Sequence, residues 1–204
     1  MQVIKTNIIM KKNKILIITF IAVCFLASCI KNDPVIFKDT QVEIDAASYN
    51  ANAAGLTYPI IPRNLPAGRA AGTSDSTLRR YPHIVKVRVN LIGAITNADR
   101  TVTYETFSSP ITTIAFPATI TGQIPPAAAA SLAVSDAVAG THYAALSGTL
   151  IIPAGSSFGF IDVQILNPGP SAGQARFLGI KLNTSGTVKP ATNYSQIGLV
   201  IDQR

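Results

Sequence analysis

Apolar and polar side chains alternate along much of this chain, and that period of two marks half-buried strands. The cleanest instance is Ile84 to Leu91, where Val85, Val87, Val89 and Leu91 alternate with Lys86, Arg88 and Asn90. The pattern returns at Ile161, Val163 and Ile165, at Leu178, Ile180 and Leu182, and in a closing strand at Ile197, Leu199 and Ile201. Thr101 to Phe107, Ile111 to Phe116 and Leu132 to Val138 read as further extended runs. Val35 to Ile44 reads as a first strand. Tyr58 to Ile61 carries Pro59 and is closed by Pro62, which confines it to an edge or a loop.

The densest signal lies between Gly140 and Ile165. A strand enters at Tyr143, a second run covers Gly148 to Ile152, and a third covers Phe158 to Leu166. Pro153-Ala154-Gly155 between the last two predicts a tight type I turn, and hence a hairpin. Asn167-Pro168-Gly169-Pro170 breaks the chain afterwards, and Asn183 to Gly186 turns it again. No amphipathic helix of 10–15 residues separates the strands, which disfavours a parallel α/β sheet. Short strands between turns predict an all-β sandwich over residues 84–204. Residues 35–83 supply the first strand and a Pro/Gly/Arg-rich loop region.

Composition agrees with a packed domain. The 204 residues are 48% hydrophobic and only 13% charged, which excludes wholesale disorder. Part of that hydrophobicity belongs to a leader. Lys11, Lys12 and Lys14 precede the apolar run Ile15 to Phe25, which ends in Leu26-Ala27-Ser28-Cys29. A basic region, a short apolar core and small residues before a cut site describe a secretory signal, too short for a typical membrane-spanning helix. Residues 1–28 are therefore read as a lipoprotein signal helix. Met10 opens a conventional signal, so residues 1–9 are read as an over-extended start.

The box ending at Cys29 resembles a bacterial lipobox, whose cysteine becomes the acylated first residue. A multi-chain lipid holds a protein firmly at a membrane. Residues 29–34 would form a flexible tether, and Ile30 in place of an aspartate favours the outer membrane by analogy, facing the periplasm or the exterior. Cys24 leaves with the leader and Cys29 is taken by lipid, so no disulfide is expected. Lys5, Lys11, Lys12 and Lys14 leave too, so more than half of the net charge of +7 is a targeting signal. Nucleic acid is accordingly not an expected partner.

Gly140-Thr141-His142-Tyr143, Ser147-Gly148-Thr149-Leu150, Pro153-Ala154-Gly155 and Ile161-Asp162-Val163-Gln164-Ile165 resemble the core signature of Calx-beta-type domains. Val87 to Gly93 and Asp99 to Thr103 extend the match. Together with the lipobox, the chain most resembles Bacteroidota lipoproteins that carry one such domain and often accompany glycan-uptake systems. The resemblance implies an immunoglobulin-like (Calx-beta-like) antiparallel sandwich and an accessory binding or interaction module. It implies no calcium site. His142 stands where calcium-binding members usually carry aspartate, Asn167-Pro168 replaces an acidic pair, and Asp162 is expected to face outward, whereas Ca²⁺ takes 6–8 oxygen ligands.

Chemistry is sparse. His83 and His142 are the only histidines and neither sits in a nucleophile–base motif, so no catalytic residue, metal ligand or cofactor is expected. His142 is expected in a turn or at the surface. Arg63, Arg69, Arg79 and Arg80 punctuate a loop-like interval that reads as a solvated loop whose charges keep it soluble, the alternative being a basic arm for phosphate, lipid headgroups or an acidic glycan. Without tryptophan, glycan stacking falls to tyrosines. Tyr143 is expected to pack with its hydroxyl satisfied, which leaves Tyr49, Tyr58, Tyr81 and Tyr194 as candidates for exposed positions. The expected function is that of a membrane-anchored, non-catalytic accessory module with an envelope protein or a glycan as partner. The alternative is a structural or fimbrial-type surface subunit.

Overall fold

The computed structural model describes residues 39–45, 52–65, 74–123, 126–171 and 174–204, all within the unit Phe37–Arg204. The leader, Cys29, the tether, Tyr49 and Arg69 lie outside the described residues. Within them the regular structure is entirely β, and it forms a two-sheet sandwich. In chain order the strands are β1 (Gln41–Ile44), β2 (Ile60–Ile61), β3 (His83–Ile92), β4 (Arg100–Phe107), β5 (Thr113–Phe116) and β6 (Ala130–Asp136). They continue as β7 (Thr149–Ile152), β8 (Phe158–Ile165), β9 (Gln174–Leu182), β10 (Lys189–Pro190) and β11 (Gln196–Asp202).

One sheet has the order β10-β1-β3-β8, and the other β2-β11-β9-β4-β7 with β5 and β6 attached through β9. Most pairings are antiparallel; β1 with β10, β2 with β11 and β6 with β9 are parallel. β2, only two residues long, occupies the sheet edge that its flanking prolines predict. The inward rows interdigitate as the alternation requires. Val85, Val87 and Val89 of β3 and Ile161, Val163 and Ile165 of β8 pack against Leu178, Ile180, Ile197 and Leu199 of the opposing sheet.

β9 and β11 are buried on both faces, which their alternation does not announce. A second cluster, Phe116, Leu132, Ala175, Phe177 and Val200, lies apart from the main core. The β5–β6 ribbon supplies Phe116 and Leu132 to it, and Phe107 meets Phe177 edge-on with ring centres 5.7 Å apart.

The expected hairpin is not one. β7 pairs with β4 and β8 pairs with β3, so the two strands lie in different sheets and their connection is an arch across the core. The tight turn does form, with the Ser156 N–H donating to the Pro153 carbonyl at 3.0 Å. Gly155 occupies its third position at φ 75°, the geometry of a type II turn rather than type I. The Gly155 N–H donates to the Thr96 carbonyl at 2.8 Å, and the Ala154 N–H to Asp99 Oδ1 at 2.8 Å. These bonds pin the corner to the β3–β4 connection. Gly159 permits the crossing: a Cβ there would lie 2.8 Å from both the Ile151 carbonyl oxygen and Leu150 Cδ1.

Candidate interaction edge

Because β8 ends its sheet, half of its backbone groups face away from β3. The Leu91 N–H donates to the Ser157 carbonyl at 2.7 Å, which fixes the phase of the ladder. Odd-numbered residues of β8 therefore bond to β3, and Phe158, Phe160, Asp162 and Gln164 direct their N–H and C=O groups outward. The ends of that outward row are occupied. Ser156 Oγ bonds both the N–H and the C=O of Phe158, at 3.2 and 2.8 Å. At the other end the Ala144 N–H donates to the Gln164 carbonyl at 2.9 Å, and Tyr143 bridges Ile165. Phe160 and Asp162 remain between them, and among the described residues no strand or loop pairs with their edge.

The side chains of this row form a cation–aromatic face with those of β3. Phe158 and Phe160 meet edge-on, with ring centres 5.5 Å apart and planes at 71°. Arg88 lies over Phe158 at 4.2 Å and Lys86 over Phe160 at 5.4 Å. Such contacts contribute about 0.5–1 kcal/mol at exposed positions. Lys86 also bridges Asp162 at 3.0 Å, between side chains 55% and 52% exposed, so that pair adds little to stability. Asp162 faces outward, as its place in the alternation predicts. Arg88 is held from the other side by Asn90 Oδ1 at 2.9 Å and by Asp45 at 3.6 Å.

The tyrosines divide. Tyr58, expected at an exposed position, is buried beside Phe107 with ring centres 5.4 Å apart, because the two-residue β2 carries it onto the second core cluster. Tyr81 is half-buried and flanked by the guanidinium groups of Arg79 and Arg80, at 6.0 and 5.0 Å from its ring. Tyr194 is 45% exposed. Its φ of 59° is in the left-handed region, where its carbonyl accepts the Ile44 N–H at 2.8 Å. Tyr143 is buried, and burial raises its hydroxyl pKa while a bond with Thr106 partly offsets the rise.

The basic interval also departs from expectation. Arg79 and Arg80 are buried rather than solvated, because the chain at Leu78–Arg80 runs beside the end of β11. Fully buried Asp202 receives Arg204 Nε at 3.0 Å, Arg204 Nη2 at 2.9 Å and Arg79 at 3.6 Å. Arg80 donates to the Gln203 carbonyl at 3.1 Å and to Asn167 Oδ1 at 2.6 Å. These groups lock the C-terminal strand in place. Arg63 is only partly buried and donates to the Asp75 carbonyl.

His142 occupies a turn, as expected, but it is buried there rather than exposed. Burial and the nearby Arg176 guanidinium hold its pKa below the ordinary histidine value. The Val138 N–H donates to its Nδ1 at 2.9 Å, which needs that nitrogen's lone pair and places the proton of the neutral ring on Nε2. His83 lies between the Tyr81 carbonyl at 2.6 Å and Asn64 Oδ1 at 2.9 Å. Among the described residues no three His, Cys, Asp or Glu side chains converge as metal ligands.

Clefts lie among the described residues. One of about 140 Å³ lies between Thr106, Asp136, Tyr143 and Phe177, and one of about 450 Å³ between Asp39, Gln41, Thr187 and Lys189. The first is below the 300–1,000 Å³ usual for small-molecule sites.

No protein-family model matches the chain, and no curated protein sequence matches it. Among solved structures, the apo form of the Calx CBD1 domain is similar over 81% of this chain and 99% of that one, at 14% identity and a TM-score of 0.42. CBD12 from CALX1.2 is similar over 58% of this chain and 36% of that one, at 19% identity and a TM-score of 0.38.

Proposed function

We propose that this chain is a non-catalytic interaction module, anchored at the outer membrane by lipid on Cys29, that docks a partner strand on the open edge of β8. The single observation that carries this reading is the run Phe160–Asp162, whose outward N–H and C=O groups have no strand beside them among the described residues. Strand addition draws its affinity from main-chain hydrogen bonds and its specificity from alternate side chains, here Phe158, Phe160 and Asp162. An edge left unpaired in a stable sheet is otherwise a liability that proteins cover, twist or block. The order of Lys11 to Lys14, the apolar run and Leu26 to Cys29 supports the anchor. A tethered module of this kind suits an accessory subunit of an envelope assembly, glycan-uptake systems included. The same edge also supports the structural or fimbrial-type reading, in which the added strand comes from a like subunit.

Two experiments test the two halves. Labelled fatty acid should enter the wild-type chain in the envelope and be absent from Cys29→Ala, which should leave the membrane fraction; equal labelling of both removes the anchor. A photo-crosslinking residue at Asp162 should give a discrete protein adduct in intact envelope, unaffected by free polysaccharide and lost with Phe160→Lys. A site that gives no adduct, or one indifferent to Phe160→Lys, removes the docking edge.

A further inference from the structure

We infer that the strand received by β8 is the β8 strand of a second copy of this chain, running antiparallel about a twofold axis at Phe160. This inference rests on the reading of β8 as a docking edge and names its occupant. The outward donors and acceptors belong to even-numbered residues, those of Phe160 and Asp162 being without a partner among the described residues, so only a register that sets even against even joins them. With the axis at Phe160, Phe160 meets Phe160 of the second copy and Phe158 meets Asp162. An axis at Ile161 would instead set Phe158 against Gln164, whose carbonyl the Ala144 backbone N–H already holds and whose flank Tyr143 covers; the Phe160 register asks only that the Ser156 hydroxyl, a side chain free to change rotamer, release the Phe158 N–H and C=O. The Phe160 register stops short of that cover.

Charge favours the same arrangement. Arg88 of β3 reaches diagonally across the sheet and lies 4.2 Å from the centre of the Phe158 ring. Its guanidinium therefore stands over the ring that Asp162 of the second copy would arrive beside, and directly opposed side chains have Cβ atoms about 5 Å apart. The twofold axis repeats that contact, as an isologous interface requires. Phe160 would meet its counterpart on the axis, where aromatic pairs add about 0.5–1.5 kcal/mol beyond burial. β8 carries no proline, its eight residues pair with β3 without a bulge, and Asp162 is its single charge.

The test is sedimentation velocity of the full chain in detergent over a wide concentration series. The wild type should pass reversibly from monomer to dimer. Asp162→Arg and Arg88→Asp should each weaken self-association at least tenfold, because each sets like charges against one another across the axis. Mixed in equal amounts, the two variants should recover a heterodimer, since one contact becomes the reversed pair and the other is the native pair. Thermal melting of each variant establishes that it is folded, and Phe160→Lys repeats the test without touching either charge. A wild type that stays monomeric throughout, a dimer indifferent to all three substitutions, or folded charge variants whose mixture stays monomeric overturns the inference. A monomer that still gives the Asp162 adduct in envelope would overturn self-pairing and leave the docking edge standing, whereas loss of both removes both.

Discussion

The guanidinium of Arg88 lies 4.2 Å from the centre of the Phe158 ring, one strand over and diagonally displaced, since the register sets Arg88 directly opposite Phe160. Asn90 and Asp45 hold that guanidinium from the β3 side, so a cation is fixed above the rim of an open sheet edge. The edge is thus lined by aromatic rings and paired charges and, among the described residues, is short of hydrogen-bond partners.

The lock at the end of β11 is expected to dominate stability. Asp202 is fully buried and is the carboxylate shared by Arg204 and Arg79. Removing one partner of a buried pair leaves charge uncompensated and costs about 3–5 kcal/mol. Asp202→Asn should therefore lower the unfolding free energy in urea by at least about 3 kcal/mol, as the paired guanidinium groups lose their counter-charge. A loss near that of a surface substitution would show that the cluster is decorative.

His142 should make stability depend on pH. Its pKa in the folded chain is held below the ordinary 6.5 by burial and by Arg176, so the unfolded chain binds the proton more tightly. The stabilisation is complete above pH 6.5 and is lost as pH falls from there toward the lower folded value. Glu43 acts with the opposite sign at more acidic pH, because burial and the Asp45 carboxylate raise its pKa. Melting temperatures of wild type and His142→Asn should converge as pH falls from 7.5 to 5.5. Parallel curves would contradict the assignment.

Gly159 sets how closely the arch lets β8 pass β7. A methyl group there would press on the Ile151 carbonyl oxygen, which cannot rotate away, and on Leu150 Cδ1. Gly159→Ala should destabilise the fold by about 1–3 kcal/mol, the usual cost of overpacking. It should also perturb amide chemical shifts in β7 as well as β8. Shifts confined to β8 would mean that the two strands are further apart than described.

Much of the architecture was legible in the sequence because it is local. The alternation at Val85 to Leu91 and at Ile161 to Ile165 gives both the strands and the faces they bury. Which strand pairs with which is not local. Pro153-Ala154-Gly155 specifies a turn, but a turn does not say whether the flanking strands share a sheet or face each other across a core. The inward row of Leu150 and Ile152 opposite Ile161 and Val163 decided for the arch. Arg79 and Arg80 read as solvated because their partners, Asp202, Gln203 and Asn167, lie more than eighty residues away. Tyr58 gave no sign of burial, since Phe107, the ring it meets, also lies far from it in sequence. The open edge was illegible for the same reason: Phe160 and Asp162 look like any half-buried strand until β8 is seen to be the last in its sheet.

The central claim, an unpaired backbone edge at Phe160 and Asp162, is tested most directly by residue-resolved amide hydrogen exchange on the dilute full chain. The account predicts rapid exchange at Phe160 and Asp162 beside strong protection at Ile161 and Val163, whose N–H groups bond to β3, with the rapid pair slowing as concentration rises. Uniform protection across Phe160 to Val163 in the dilute chain would contradict it.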